Sequence, residues 1–189
     1  CPYDFQKARL VAREMADALA LDLVDKGLVT NQLVLTVGYD RENLDDPSRA
    51  ARYKGPVTTD RYGRKIPKHT VGTENFSYTS SANDLLKAVT VLYDRIVDQN
   101  LLIRRLSISA NKLLDETSAS KEEPAEQLDL FTDYTTKEKQ EQADKAAHAR
   151  ERKLQEAMLG IKKRYGKNAI LKGMNLEEGA TAMERNKQI

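Results

Sequence analysis

The chain has 189 residues, 40% apolar and 32% charged, with no tryptophan, a composition that supports one modest core rather than two large ones. Its net charge of +2 conceals a division: residues 1–114 carry 17 Lys/Arg against 14 Asp/Glu, residues 115–134 carry 1 against 7, and residues 135–189 carry 13 against 8. An acidic connector therefore separates two basic parts. The single cysteine, Cys1, excludes an intramolecular disulfide, and with only His69 and His148 beside it no zinc cluster of recognisable spacing arises. No apolar run reaches the roughly 18 residues of a membrane span, and no signal-peptide layout opens the chain. A cytoplasmic protein without a membrane partner is expected. The start at Cys1-Pro2, almost inside a helical pattern, reads as part of a longer polypeptide.

In residues 4–26 the positions Phe5, Ala8, Ala12, Met15, Ala16, Leu19 and Leu23 follow helical spacing, and Gly27 supplies a left-handed stop. A helix with one buried stripe is predicted. Residues 33–39 alternate Leu33, Leu35, Val37 and Tyr39 on one face with Val34, Thr36 and Gly38 on the other, the pattern of a half-buried strand. Residues 40–68 form a long polar excursion rich in basic residues, and a second strand follows near 69–76. Loops of this length are functional or disordered. Ser81 with Asp84 three residues on resembles a capping box, ahead of a second amphipathic helix through Leu85, Leu86, Val89, Leu92, Tyr93, Ile96 and Val97 that ends at Asn100. Residues 103–109 alternate again, with Leu106 and Ile108 inward and Arg105, Ser107 and Ser109 outward. The order is that of a split βαβ motif lacking its first strand. The expected fold class is α+β, with two helices on one face of a sheet, then an acidic linker (115–136), a charged helix (137–166) and a tail (167–189). The helix stripe is expected to be Ala147, Leu154, Ala157, Met158 and Ile161, and the tail has no structural assignment.

Two constellations bear on function. The first is Gln127-Leu128-Asp129-Leu130-Phe131, three large apolar side chains in an acidic stretch with no core to enter, which points to an outside receptor or to folding back on the chain's own domain. The second is the basic excursion, in which Arg49, Arg52, Lys54, Arg61, Arg64, Lys65 and Lys68 are interleaved with Tyr53 and Tyr62. Such cations neutralise phosphates without reading sequence. The outward face of the sheet, with Thr36, Gly38, Arg105, Ser107 and Ser109, is small and polar, a surface against which a sugar-phosphate backbone can lie. The acidic pairs Asp45-Asp46 and Glu177-Glu178 read as solvated charge rather than metal ligands. No catalytic or metal-binding residue is assigned.

The split βαβ, the strand from Arg104 to Leu113, the 127–131 peptide and the tail Ile161-Lys162-Lys163-Arg164-Tyr165-Gly166-Lys167-Asn168-Ala169-Ile170 together resemble the C-terminal part of a Y-family (UmuC/DinB-like) translesion DNA polymerase of Gram-positive type. That resemblance spans nearly the whole chain. It implies that residues 1–114 are a little-finger domain gripping template-primer DNA, and that Gln127, Leu128, Asp129, Leu130 and Phe131 bind the bacterial sliding clamp. It also implies a palm upstream whose carboxylates hold Mg2+, so no cofactor is expected in this part of the chain. The long basic excursion departs from the family pattern. A different reading is a non-catalytic clamp-binding adaptor with a small α/β interaction domain. An RNA-binding split βαβ domain is disfavoured, because the strands lack aromatics in a base-stacking pattern.

Overall fold

The computed structural model describes residues 2–119 and 134–188. In chain order the first elements are α1 (Phe5–Lys26), β1 (Leu28–Tyr39), α2 (Glu42–Asp45), α3 (Pro47–Arg52), β2 (Val57–Thr59) and β3 (Lys65–Pro67). Then come β4 (Thr70–Thr79), α4 (Ala82–Ile96), β5 (Ile103–Asn111), β6 (Leu114–Asp115) and α5 (Glu116–Ala119). Beyond the acidic stretch lie α6 (Tyr134–Tyr165), a 3-10 turn (Gly173–Leu176) and α7 (Ala182–Arg185). The class is α+β, built on an antiparallel sheet of order β4-β1-β5, with β6 paired to the start of β1.

The alternation in β1 determines the core. Leu33, Leu35, Val37 and Tyr39 are buried and packed with Ala8, Ala12, Ala16 and Ala20 of α1 and Leu85, Val89, Leu92 and Tyr93 of α4. Burying each large side chain contributes about 1.5–3 kcal/mol. Four alanines at intervals of four along α1 give that helix a smooth face, which allows a close approach to its neighbours. On β4 the same role falls to Gly72, where a Cβ would stand 2.7 Å from Ile96 and 2.9 Å from Leu92 of α4. Tyr93 seals the centre by donating to the Phe5 carbonyl (2.9 Å), and burial pushes its pKa upward.

The expected starts of both helices and the stop of α1 hold, but α4 ends at Ile96 rather than at Asn100, because Val97 takes an extended backbone and Asp98 opens a turn by accepting from the Asn100 amide (2.9 Å). Asp4 accepts from the Lys7 amide (2.9 Å), and Gly27 stops α1 at a φ of 64°. Ser81 caps α4 by accepting from the Asp84 amide (3.2 Å). Asp84 does not close the box: the Ser81 amide donates to Thr79 Oγ1 (3.0 Å), and Glu151 of α6 accepts from Ser81 Oγ (2.7 Å) and from the Asn83 amide (2.9 Å). In place of a first strand, Tyr3 exchanges two backbone hydrogen bonds with Ile103, of 2.8 and 2.7 Å.

Three expectations need correction. The excursion at 40–68 is not a plain loop, because α2, α3 and the β2–β3 hairpin fold within it. Nor is α1 buried along a single stripe. Leu10, Glu14, Asp17 and Leu21, spaced four, three and four apart, form a second buried line on the side where α6, the 3-10 turn and α7 pack. The buried side of α6 is also rotated from the expected stripe: Gln155 and Met158 are buried, whereas Leu154 is 59% exposed and Ile161 37%. Polar anchoring explains the rotation, since Gln155 donates to the Ser80 carbonyl (3.0 Å) and Arg152 makes a two-point pair with Glu116 of α5 (3.0 and 2.9 Å).

The tail is held at a buried carboxylate. Glu14, 2% exposed, accepts from Asn175 (2.9 Å), the Thr181 amide (2.8 Å) and hydroxyl (3.2 Å), the Ala182 amide (3.1 Å) and Arg185 (3.4 Å). Asp17 pairs with Lys172 beside it. Removing the carboxylate leaves buried amide donors without an acceptor, each costing about 1–3 kcal/mol. Glu14→Ala is therefore expected to lower the unfolding free energy by roughly 2–3 kcal/mol and to expose residues 172–188 to protease. Glu178→Ala, which removes only the exposed 2.7 Å pair with Lys7, should leave the urea midpoint nearly unchanged, because solvent screens such a pair. Equal urea midpoints for Glu14→Ala and the parent chain would show that the tail is not anchored there.

Candidate nucleic-acid interface

The face of the sheet opposite the helices is read directly from the strand register. Thr73, Val34 and Ser109 lie in one row across β4, β1 and β5, and Val71, Thr36 and Ser107 lie in the next. A further row is an amide ladder: Gln32 donates to Asn75 (2.8 Å) and accepts from Asn111 (3.3 Å). At the other end, Gly38 stands opposite Arg105. Ser107, Ser109, Asn111, Thr73, Asn75 and Arg105 are exposed. The face is built of small and mostly polar side chains, interrupted by Val34 and by Val71, which is 54% exposed, with a cation at one end. Sequence reasoning placed Thr36, Gly38, Arg105, Ser107 and Ser109 here. It missed Gln32, Thr73, Asn75 and Asn111, which belong to the face only because β4 and β5 align with β1 in this register.

The excursion is organised by carboxylates and one buried amide. Asp46 caps α3 by accepting from the amides of Ser48 (2.8 Å) and Arg49 (3.2 Å) and from Ser48 Oγ (2.7 Å), which together hold its carboxyl below the usual range. Asn43, fully buried, donates to the carbonyls of Asp40 and Leu102 and accepts from the Leu102 amide, all at 2.8 Å. That clamp fixes the start of the excursion to the entry of β5. Tyr53 is turned inward: it packs against the core and donates to the Pro56 carbonyl (2.7 Å). Its partner in the sequence pattern, Tyr62, is 75% exposed at the hairpin tip.

That tip is built on Asp60. Its carboxylate accepts from the amides of Tyr62 (2.8 Å) and Arg64 (3.0 Å) and from Arg64 Nε (2.8 Å). Gly63, at a φ of 76°, takes the left-handed position of the turn and donates to the Asp60 carbonyl (3.0 Å). An Asp three residues before a Gly is a turn signal in its own right. The Arg64 guanidinium lies 4.9 Å from the Tyr62 ring centroid.

The cations differ in availability. Arg49 and Arg64 are engaged by Asp46 and Asp60. Among the described residues Arg52, Lys54, Arg61, Lys65, Lys68 and Arg105 form no ion pair, and all six are exposed. The structure brings Arg64 and Arg105 into the lining of one cleft of about 730 Å3, together with Gly38, Tyr62, Arg104 and the carboxylates Asp40, Glu42, Asp45 and Asp60. Arg49, Arg52 and Lys54 lie on α3 and the turn that follows it. Gln127, Leu128, Asp129, Leu130 and Phe131 lie outside the described residues.

Asp45 pairs with Arg41 (3.4 Å) and Glu178 with Lys7, while His69 is exposed and His148 lies 3.5 Å from Asp84. Among the described residues no group of three or more His, Cys, Asp or Glu is placed to hold a metal ion, and no helix is long and apolar enough to cross a membrane.

The Arg64 guanidinium, with the two amides, holds the Asp60 carboxyl below its usual value. Because the folded-state pKa is the lower one, this carboxylate supports the tip fully above the unfolded value of about 3.9 and loses that effect as pH falls through the folded one. The amides of Tyr62 and Arg64 are thus expected to lose hydrogen-exchange protection on acidification below about pH 4. Amides in the middle of β1 should stay protected in the same samples; unchanged tip protection across that range would contradict the role of Asp60.

Residues 2–130 match the model of the impB/mucB/samB family C-terminal domain. A comparison with curated proteins finds no match to this chain.

Proposed function

This chain belongs to the impB/mucB/samB family and carries its C-terminal domain, the little-finger region of Y-family DNA polymerases, and on that premise we propose that it grips template-primer DNA by the backbone and tethers the polymerase to the bacterial sliding clamp during lesion bypass in the cytoplasm. The observation that carries the first part is the open sheet face. Its rows of Ser, Thr and Asn offer donors to phosphate oxygens, and Arg105 with the unpaired Lys65 and Lys68 supplies positive charge. The amide side chains of the face, Gln32, Asn75 and Asn111, are hydrogen-bonded to one another, which takes up part of the donor and acceptor capacity that reading a base edge would need. Contacts to phosphate and sugar position a duplex without carrying sequence information, which suits a polymerase that must let a damaged base pass.

Support for the tether comes from the sequence pattern. Leu128, Leu130 and Phe131 are large apolar residues in a stretch of net charge −6, and a short peptide of this kind anchors by filling apolar pockets of a partner. The chemistry of nucleotide transfer would belong to a palm with bound Mg2+. The residues of this chain hold and orient.

Binding of duplex DNA should be independent of sequence and should weaken steeply with salt. A Lys65→Ala/Lys68→Ala/Arg105→Ala variant is expected to lose affinity for all duplexes alike and to reduce the salt slope by about 0.9 for each phosphate contact removed. Unchanged affinity in a salt titration followed by fluorescence anisotropy would move the contact surface elsewhere.

For the clamp, burial of Leu130 and Phe131 offset by ordering of the peptide gives an expected Kd in the micromolar range, about −8 kcal/mol. Leu130→Ala/Phe131→Ala should abolish binding in a calorimetric titration. Equal heats for the variant and the parent chain, or no binding by the parent, would exclude the tether.

A further inference from the structure

We infer that Tyr62 is a stacking platform for an unpaired base of single-stranded DNA, a specific contact that rests on the DNA-binding reading above and adds to it. An exposed aromatic ring at a loop tip is ordinarily mobile, yet this one stands on a preorganised turn. Asp60 fixes the backbone on both sides of it through the Tyr62 and Arg64 amides, and the same carboxylate grips the Arg64 guanidinium, with a second contact to its NH2 group at 2.6 Å. Arg64 in turn lies 4.9 Å from the ring centroid. Little conformational freedom then remains to be lost on binding. With the guanidinium against one face and 75% of the residue exposed, the other face is available to a flat π-system.

The surroundings specify the ligand. Tyr62 and Arg64 line the cleft of about 730 Å3 that also holds Gly38 and Arg105 of the open sheet face. Its carboxylates Asp40, Asp45 and Asp60 are taken up by Arg104, Arg41 and Arg64, Glu42 also lines it, and Arg105 is the arginine of the lining left without an ion pair among the described residues. Arg61 and Lys65 flank the tip in the chain, and Arg105 lines the cleft; all three are exposed and without an ion pair among the described residues. Unpaired cations near an exposed aromatic ring match a strand whose phosphates alternate with stackable bases. Bases within a duplex keep their faces covered by their neighbours, so only an unpaired nucleotide can present one to the ring. The arrangement suits a strand leaving the duplex where the sheet face ends.

The full chain lacks tryptophan, so Tyr62→Trp places a single selectively excitable reporter at the site. Affinities for oligo(dT) and for a blunt duplex are measured for the parent chain, Tyr62→Ala, Tyr62→Phe and Tyr62→Trp. Loss of one stacked base is expected to weaken oligo(dT) binding by about 5- to 100-fold in Tyr62→Ala. Duplex affinity should stay within about twofold, Tyr62→Phe should match the parent, and Trp emission should be quenched by oligo(dT) but not by duplex. Unchanged oligo(dT) affinity in Tyr62→Ala, with duplex still bound, would overturn the inference and leave the backbone-gripping function intact. Equal quenching by duplex would overturn it too, since the ring would then meet DNA without an unpaired base. Failure of the parent chain to bind either nucleic acid would overturn the function and the inference together.

Discussion

The fold depends on β1, a long strand hydrogen-bonded along both edges to β4 and β5, whose two faces carry opposite chemistry. Leu33, Leu35 and Val37 build the core, and Val34, Thr36 and Gly38 in the same six residues floor the open face. Side chains alternate strictly along a strand, so a slip of one residue would send the leucines to solvent and Thr36 into the core. The irregularities at Thr30/Gln32 and at Gly38/Tyr39 bracket the regular stretch. Between them the register holds three strands in line, and the rows of Ser, Thr and Asn are a direct consequence of it.

A second organising centre lies on the far side of α1. There the chain after the acidic stretch returns and is held by polar contacts rather than by a large apolar interface: Glu14 and Asp17 to the tail, Asp25 to Lys163, Glu116 to Arg152, and the α4 cap to Glu151. The most deeply buried of these, Glu14, is also the most completely satisfied, as a carboxylate without water must be. The proximity of Asp17 and Lys172 acts on Lys162 as well. Burial lowers its pKa, Asp17 raises it, and Lys172 lowers it again, with a net fall. α6 and the tail are therefore part of the folded body.

Charge near the open face is divided between structure and availability. The carboxylates Asp46 and Asp60 take up Arg49 and Arg64 in shaping α3 and the hairpin, while Lys65, Lys68 and Arg105 stay unpaired and exposed. Exposed pairs contribute little to stability. Their value here is conformational: Asp60 holds both the turn and the guanidinium beside Tyr62, so a basic hairpin that would otherwise repel itself keeps a single shape.

Local patterns were enough to read α1, α4, β1 and β5, with the stops at Gly27 and Gly166, since spacing, caps and left-handed glycines act within a few residues. They also sufficed for the outward placing of Arg105, Ser107 and Ser109 and for the isolation of the 127–131 peptide from any local apolar pattern. Tertiary structure decided what depends on distant partners. Leu10, Glu14, Asp17 and Leu21 read as the solvent side of a helix until residues 172–185 cover them. The apolar stripe of α6 proved a poor guide, because Gln155 and Arg152 set its rotation by bonds to residues more than thirty positions away. Tyr53 and Tyr62 look alike in sequence, yet one lies against the core and the other stands in solvent. A side chain's fate follows its periodicity where neighbours in sequence are its neighbours in space, and only the assembled fold decides it where they are not.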